Sequence, residues 1–294
     1  LKLDVFTTFQ LVRFAMDSKK NFITLATYIC PSITVDFYEF LGSYIEAQVG
    51  IRTTLLYDSR RNGPDISKGD HKFIDLAFVS TTTYLEQFSA PNSEFKLLSV
   101  GGVSEHPVKG ETLGYYTDIV LSRDTRERAK EFFDLRGCSF AYSHETSLSA
   151  AKQVLITLKQ LGENASFFSN VKCTGNHFKA MEAVIAKKAE CAAVGSIAFS
   201  QFIKKHYYLA SELQLFESWG PLPPHPIIVN KNLPDNIVCA IEEAILRLHK
   251  TPGWNEQLLN FGFLRFEKTS PDTYLGAQDM LDSTKSLAIG VTYY

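Results

Sequence analysis

The sequence has few cysteines and no closely spaced pair of them. Its five cysteines stand far apart, and none forms the CxxC spacing that is typical of zinc sites and redox-active dithiols. An odd number of separated thiols favours free, buried cysteines in a reducing compartment, because an unpaired cysteine packs as a small apolar residue. The sequence therefore predicts neither a disulfide framework nor a cysteine-based metal site.

Long apolar runs and an excess of one charge are also missing. The apolar stretches are short: Leu76 to Val79, for example, holds four residues, whereas a membrane helix needs about 20. Lys and Arg total 30 against 32 for Asp and Glu, a formal net charge of −2. A balanced charge gives no general attraction to nucleic acid or anionic lipid. We therefore expect no membrane span, no nucleic-acid partner, and local recognition of any charged ligand.

Common catalytic signatures are absent as well. The seven histidines are scattered, and no HExxH or HxxEH pair suggests a catalytic metal. There is no GxSxG elbow and no GxxxxGK[ST] loop, which disfavours hydrolase and NTPase activities. His144 and Glu145 stand beside Ser147, but their position favours a loop next to a helix start over acid–base chemistry.

The first residues do not have the pattern of a signal peptide. Leu1 to Ala15 lack an initiating Met, and Asp4 and Arg13 interrupt any apolar core region. Met16 is a plausible natural start, which leaves residues 1–15 as an N-terminal extension of uncertain status. A removed leader before Leu1 is also open, so both an exported and a cytoplasmic protein are compatible with the sequence.

Strand and helix patterns alternate from the start of the chain. An apolar strand pattern at 23–28 precedes Pro31 and Ser32, which predict a helix start with Ser32 as N-cap. Apolar residues at helical spacing continue to Val49, and Gly50 ends the helix. Further strands are expected at 51–57 and 74–79. This alternation predicts a parallel sheet with ligands at the carboxyl ends of its strands.

Four hydroxyl side chains follow the third predicted strand. They are Ser80, Thr81, Thr82 and Thr83. They can cap a helix that begins near Tyr84, or contact a polar ligand, and the two roles are compatible.

A second strand–helix series begins near Gly137. Its turn Thr146-Ser147-Leu148-Ser149 places hydroxyls and unpaired backbone N–H groups at the positive end of a helix. Such a turn favours a phosphate-like anion. The turn 174–177 repeats the arrangement with Thr174, Gly175 and His177. We expect the two helix ends to converge on one cleft, with His177 becoming cationic below about pH 6.5.

The remaining expectations concern connections. The segment from Gly220 to Pro226 holds four prolines and predicts a stiff, extended crossing between lobes. Pro234 is well placed to start a helix. Gly101 and Gly102 suggest a turn that ends a strand, and the chain from Trp254 onward suggests a helical tail.

Five of these motifs occur in the order seen in one family. The chain resembles PhnD-like phosphonate/phosphate-binding proteins of ABC transporters from about Phe22 to Leu281. The resemblance implies an α/β, two-lobed type 2 periplasmic-binding fold with mixed, mainly parallel sheets flanked by helices. The motifs are Asp75-Leu76-Ala77-Phe78-Val79, Gly114-Tyr115-Tyr116-Thr117-Asp118-Ile119-Val120, Ser147-Leu148-Ser149, Thr174-Gly175-Asn176-His177-Phe178-Lys179-Ala180 and Gly220-Pro221-Leu222-Pro223-Pro224.

The resemblance also implies a division into lobes. Residues 16–116 and 222–294 would form a discontinuous first lobe, and residues 117–221 an inserted second lobe. Crossings between the lobes would lie near 116–120 and 219–223. A hinge between them would close the lobes on a ligand.

The resemblance further implies a site that binds a small tetrahedral oxyanion, with no catalysis and no cofactor. The protein would be a monomer and would serve uptake through an ABC permease, or sensing. Many relatives carry an Asp that faces a ligand ammonium group where this chain has Gly195, which favours phosphate, phosphite or a simple phosphonate. The implied ligand-contacting residues are Tyr28, Ser80, Thr81, Thr82, Tyr115, Ser147, Leu148, Ser149 and His177.

A second class of function is also open. Enzymes of thiamin-precursor and menaquinone pathways use similar folds, and fold alone does not separate them from binding proteins. An activated nucleophile or base in the cleft would favour an enzyme, and the candidates are His177 and Cys173.

Overall fold

The computed structural model describes residues 22–27, 29, 30, 32–57, 70–287 and 289. Within these ranges, no helix has the length and apolar character that crossing a bilayer requires. The strands are β1 (Phe22–Ala26), β2 (Arg52–Leu56), β3 (Leu76–Phe78), β4 (Phe95–Leu97), β5 (Val100–His106), β6 (Gly110–Leu113), β7 (Tyr115–Ser122), β8 (Ser139–Tyr142), β9 (Asn170–Cys173), β10 (Cys191–Gly195), β11 (Leu213–Leu222), β12 (Ile227–Asn230) and β13 (Phe263–Lys268).

Helices alternate with most of these strands. A π-helical segment, Leu148–Lys152, leads directly into the helix that follows it. The helices are α1 (Val35–Val49), α2 (Thr81–Thr83), α3 (Arg123–Arg128), α4 (Gln153–Gln160), α5 (His177–Ile185), α6 (Ser196–Lys205), α7 (Asp235–Arg247), α8 (Trp254–Asn260) and α9 (Leu275–Thr284).

The first sheet has the strand order β2-β1-β3-β12-β4. Strand β1 pairs in parallel with β2 and β3, and β12 is antiparallel to β3 and β4. Because β1 and β3 run in the same direction, the loops that follow them lie at one edge of the sheet. The sheet and the helices that cover it form the first lobe, which confirms the predicted strand–helix alternation.

Helix α1 buries the apolar side predicted for it. Phe37, Leu41 and Tyr44 are fully buried, and Gly50 ends the helix in the left-handed region with φ 76°. The predicted N-cap was wrong, because the helix begins at Val35 and its N-cap, Thr34, makes no side-chain cap bond. Ser32 lies before the helix and is free to bond elsewhere.

The second sheet has the strand order β11-β7-β10-β8-β9. Strand β8 is parallel to β9 and β10, whereas β7 is antiparallel to β10 and β11. The carboxyl ends of β8, β9 and β10 therefore meet at one edge, together with the start of β7. This sheet and its helices form the second lobe.

A third, small sheet of order β13-β5-β6 corrects two expectations. The tail from Trp254 onward is not wholly helical, because Phe263–Lys268 pairs antiparallel with β5. Gly101 and Gly102 do not end a strand, because both lie inside β5. A Cβ atom on Gly101 would lie 2.6 Å from a side-chain carbon of Pro224, so glycine is required there by close packing.

The chain passes between the sheets on β7 and β11, which pair with each other. Gly114, directly before β7, has φ +127°, and a Cβ there would lie 2.0 Å from the carbonyl oxygen of Leu222. Only glycine permits this approach. The two crossing segments are therefore held against each other at the point where both leave the second sheet.

The two lobes are in contact. Leu148 and Ile197 of the second lobe belong to the same apolar cluster as Phe37 and Phe78 of the first. The Gln201 side-chain amide donates to the carbonyl of Phe261 at 2.7 Å. Near the chain end, Ile289 packs in the apolar cluster of the second lobe. The structure therefore shows a closed arrangement of the lobes.

Candidate functional site

The strand-end loops of the two lobes meet across a short gap. Ser32 follows β1 in the first lobe, and His177 begins α5 in the second. Their Oγ and Nε2 atoms lie 3.1 Å apart. This bond joins the edges at which each sheet presents the carboxyl ends of its parallel strands, where ligands bind in open α/β sheets.

The turn at Ser147 points into the contact between the lobes. The Ser147 hydroxyl accepts from the N–H of Ala150 at 3.1 Å and caps the helical segment that begins at Leu148. The N–H groups of Leu148 and Ser149 precede the first intrahelical bond and have no acceptor within the helix. Leu148 packs in the first lobe's apolar cluster, and Ser149 is 1% exposed. The turn therefore faces the gap and not the outer surface.

Strand β7 holds this turn in place. The Thr117 hydroxyl donates to the carbonyl of Ser149 at 3.0 Å. Burial raises the pKa of the Tyr115 hydroxyl, and a side-chain hydrogen bond with Ser149 lowers it by a smaller amount. Tyr115, Ser147, Leu148 and Ser149 therefore lie together.

Both ring nitrogens of His177 are engaged. The backbone N–H of Gly195 donates to Nδ1 at 3.3 Å, which assigns the ring proton to Nε2 and makes Ser32 Oγ its acceptor. Burial lowers the pKa of His177 to about 4. The expected protonation near pH 6.5 is therefore wrong, because the buried ring stays neutral far below that pH.

Apart from His177, the turn 174–177 contributes fewer groups to the gap between the lobes than the sequence predicted. The Thr174 hydroxyl donates to the carbonyls of Tyr142 and Asn176, and the Gly175 N–H donates to the Ser143 carbonyl at 2.7 Å. Asn176 caps α5 through a bond from the N–H of Lys179. Of this turn, His177 is therefore the group that reaches the gap between the lobes.

The hydroxyls after β3 divide into two roles. Ser80 caps α2, because its Oγ accepts from the N–H of Thr83 at 3.1 Å. Thr81 and Thr82 are each 1% exposed, and neither hydroxyl has a hydrogen-bond partner. Burying a hydroxyl without a partner is costly, so these two side chains are available to a bound polar group. Tyr28, the remaining candidate, lies outside the described residues.

One residue of this region was missed from the sequence. His225 lies between Pro224 and Pro226 in the predicted crossing, and its ring centroid is 4.5 Å from that of Tyr115. The side chain is 6% exposed, and neither ring nitrogen has a hydrogen-bond partner. Burial, and to a smaller extent His177, lowers its pKa to about 3. The sequence signal that could have identified His225 is its position as a polar residue between two prolines of the predicted lobe crossing.

Gly195 supplies space at the centre of this cluster. Its backbone has φ −74° and ψ 136°, a conformation that any residue adopts. A Cβ there would lie 3.5 Å from Ser149 Oγ and 3.5 Å from a ring carbon of Tyr115. A side chain at this position would therefore project between two candidate ligand-contacting residues.

The cysteines are free, as expected, but they are not all buried. Cys30, Cys138 and Cys191 are buried, whereas Cys173 and Cys239 are exposed. Burial raises the pKa of Cys30 to about 12. The Cys173 thiol donates to the Ser143 carbonyl at 3.4 Å. Within the described ranges, His, Cys, Asp and Glu form no group that could hold a metal ion.

A cavity between the lobes lies next to these residues and is not lined by them. It has a volume of about 470 Å³, and its walls include Thr34, Phe178 and Gln201. None of the candidate residues lines it. The candidate site is therefore the compact polar cluster and not this open groove.

Comparison with protein-family models assigns the chain to a family. The model of the family described as "ABC transporter, phosphonate, periplasmic substrate-binding protein" matches residues 23–274. The chain belongs to this family of phosphonate-binding proteins. The predicted PhnD-like resemblance and the two-lobed type 2 periplasmic-binding fold are thereby confirmed. No curated protein sequence matches the chain.

Solved structures agree with this fold. PhnD1 from Prochlorococcus marinus, in complex with methylphosphonate, is similar with a TM-score of 0.71 at 13% identity, over 91% of this chain and 99% of that one. A binding protein component of an ABC phosphonate transporter from Pseudomonas aeruginosa gives 0.74 at 13% identity, over 91% and 87%. XAC2383 from Xanthomonas citri bound to chloride gives 0.61 at 14% identity, over 91% and 98%.

Proposed function

We propose that this phosphonate-binding-family protein holds a small tetrahedral oxyanion, namely phosphate, phosphite or a simple phosphonate, between its lobes and releases it unchanged. The observation that carries the proposal is the buried helix tip at Ser149, which faces the inter-lobe gap beside His177. The orphaned hydroxyls of Thr81 and Thr82 support it from the first lobe. Tyr115 and His225 complete the polar surroundings.

Neutral donors are sufficient for such a ligand. A micromolar complex requires about −8 kcal/mol, and a hydrogen bond to a charged group contributes about 1.5 to 3 kcal/mol. The first N–H groups of the helix, the Ser149 hydroxyl and the two threonines together approach the four to six donors that a tetrahedral oxyanion accepts. Partial charge at the helix N-terminus adds to this attraction.

The absence of a side chain at Gly195 supports a ligand without an ammonium group. Among the described residues, no carboxylate is hydrogen-bonded to Ser149, His177 or His225. A cationic amine in the gap would therefore lack a counter-charge. PhnD1 of Prochlorococcus marinus was solved with methylphosphonate, and a ligand of this size and charge suits the same position in this chain.

We retain the proposed lobe division, with residues 16–116 and 222–294 in the first lobe and 117–221 in the second. The pairing of β7 with β11 supports hinge crossings near 116–120 and 219–223. We also propose a monomer that delivers its ligand to an ABC permease or acts as a sensor, and the family description supports a role in transport. Separation of the lobes about these crossings would release the ligand.

The enzyme alternative finds little support among its candidate groups. Both nitrogens of His177 are already bonded, so the ring has no free lone pair to act as a base. Cys173 lies at the end of the edge strand β9, and its thiol bonds to a backbone carbonyl. Phosphorus NMR of methylphosphonate incubated with the protein should show a bound species and no new product.

Isothermal titration of the purified protein with phosphate, phosphite and methylphosphonate tests the proposal. We expect saturable binding of at least one of them with one site per chain. Sulfate and acetate serve as controls for geometry and charge. Absence of saturable binding by all three phosphorus oxyanions at millimolar concentration would refute the proposed function.

A further inference from the structure

His225 is a buried imidazole with no partner for either nitrogen. Its side chain is 6% exposed, and both Nδ1 and Nε2 are unpartnered. A neutral imidazole carries one donor nitrogen and one acceptor nitrogen, and buried polar groups are normally paired. The preceding and following prolines fix the backbone on either side. The buried ring therefore has unused hydrogen-bonding capacity.

The surroundings locate this capacity at the candidate site. The ring of Tyr115 lies 4.5 Å from that of His225, centroid to centroid, and Tyr115 in turn contacts Ser149. The N–H of Val79, directly before Ser80, donates to the carbonyl of Pro226 at 2.9 Å. His225 therefore stands between the orphaned hydroxyls that follow β3 and the helix tip of the second lobe.

His177 and His225 differ in what they can do. His177 gives its one lone pair to the Gly195 N–H and its proton to Ser32. Protonating His177 would break the bond to Gly195. His225 has no such bond to lose, so it can gain a proton and a hydrogen-bond partner together.

The titratable groups that face His225 are neutral, so neither a protonated His225 nor a bound anion would already have a charged partner there. The titratable neighbours are Tyr115 on β7 and His177 at the start of α5, and both are neutral at pH 7. Burial raises the pKa of Tyr115 and lowers that of His177. Among the described residues, no carboxylate, Lys or Arg forms an ion pair with His225. An entering anion would be the charge that stabilises an imidazolium here.

We propose that His225 contacts the bound oxyanion directly and takes up a proton from solvent as the anion binds. This inference rests on the proposed function and deepens it, because it assigns a ligand preference to a residue. The step is balanced for a dianionic ligand: a buffer acid in the solvent gives one proton to a ring nitrogen and becomes its conjugate base, and the imidazolium N–H then donates to an anion oxygen. A dianion is favoured over a monoanion of the same shape. One of its negative charges pairs with the imidazolium, and the other still interacts with the positive end of the helix that begins at Leu148.

Nitrogen NMR of the whole chain with ¹⁵N-labelled histidine tests this directly. Methylphosphonate is added to saturation at pH 7, and the His225 signals are assigned by comparison with His225→Asn. We expect the His225 nitrogens to move to imidazolium positions, while His177 keeps a neutral ring protonated at Nε2. His225 signals that are unchanged at saturation would overturn the inference.

Calorimetry in buffers of different ionisation enthalpy supplies a second measurement. At a mildly alkaline pH, where free methylphosphonate is a dianion and brings no proton of its own, His225→Asn should weaken methylphosphonate binding at least tenfold and reduce proton uptake relative to the wild type in the same buffer. The monomethyl ester of methylphosphonate, a monoanion, should bind wild type more weakly than methylphosphonate, and His225→Asn should narrow that difference. Equal affinity and equal proton uptake in both proteins would overturn the inference.

His249→Asn is the matched control. His249 also has a buried, unpartnered Nδ1, but it lies after α7 in the segment Leu248–Lys250. This variant should bind like the wild type. If the wild type binds no phosphorus oxyanion, the proposed function fails; if it binds and His225→Asn binds identically, only the role of His225 fails.

Discussion

The backbone N–H of Gly195 donates to Nδ1 of His177 at 3.3 Å. This bond joins the end of β10 to the start of α5 and leaves the ring proton on Nε2, directed to Ser32 in the opposite lobe. His177 is therefore a neutral donor that spans the lobes. Its charge state is fixed by its position and not by the pH of ordinary buffers.

We expect an oxyanion oxygen to replace Ser32 as the acceptor of the His177 proton, so replacement of His177 by Ala should weaken oxyanion binding by about 10- to 100-fold, the range of one hydrogen bond to a charged group. The loss should be the same at pH 5.5 and pH 8, because burial holds the His177 pKa at about 4. Titrations of both proteins at the two pH values measure it. A loss confined to the acidic buffer would show that the ring acts as a cation.

Acid should destabilise the ligand-free protein through its two buried histidines. The pKa of His177 is about 4 and that of His225 about 3, both below the ordinary value near 6.5. The unfolded chain therefore binds protons that the folded chain does not, so stability is full above pH 6.5 and falls as pH decreases toward 4. The slope is about 1.4 kcal/mol per pH unit for each histidine.

Urea unfolding at several pH values measures this slope. His225→Asn should reduce the slope of the unfolding free energy against pH by about 1.4 kcal/mol per pH unit between pH 6.5 and 4. The unfolding free energy of each protein at pH 7.5 serves as its own reference. If the variant loses stability with acid as steeply as the wild type, His225 is not the buried neutral ring described above.

The serines of the helix tip should have separable effects. Ser149→Ala should lower oxyanion affinity about 10- to 100-fold, and it should cost stability only through the loss of its side-chain hydrogen bond with Tyr115. Ser147→Ala removes an N-cap and should cost about 1 kcal/mol of stability in addition to any loss of affinity. Calorimetry and thermal unfolding of the same samples distinguish the two.

Ser122→Ala is the control for capping. Ser122 caps α3 by accepting from the N–H of Thr125, and it lies at the opposite end of β7 from Tyr115. This variant should lose stability and keep wild-type affinity. Unchanged affinity in Ser149→Ala would remove the helix tip from the site.

A carboxylate at position 195 should change the choice of ligand. Gly195→Asp is compatible with the backbone, and its side chain would enter between Ser149 and Tyr115, where it repels an anion by about 1 to 4 kcal/mol at 4 Å. Affinity for phosphate and methylphosphonate should fall relative to Gly195→Ala, and 2-aminoethylphosphonate should lose less. Titration of both variants with the three ligands checks this, and equal losses in Ala and Asp would contradict it.

Local sequence patterns predicted the parts of the fold that local interactions determine. The apolar spacing of α1, the glycine that ends it at Gly50 and the helix start after Pro234 depend on residues close in sequence. Strand β13 was missed because its partner, β5, lies far away along the chain. Gly101 was misassigned for the same reason, since Pro224, which requires it, is distant in sequence.

The candidate site shows the same contrast between features set by local sequence and features set by distant residues. The Ser147 turn and His177 carry recognisable motifs at helix starts and were identified. The engagement of Thr174 by backbone carbonyls, the bond between Ser32 and His177 and the orphaned nitrogens of His225 arise only when the lobes meet. None of these has a signature within a few residues of chain.

A crystal structure of the protein grown with methylphosphonate tests the central claim most directly. The account predicts one phosphorus atom between the lobes, with its oxygens within hydrogen-bond distance of the Ser149 N–H and of the Thr81 or Thr82 hydroxyl. Methylphosphonate bound elsewhere, with an empty gap at Ser149, would contradict it.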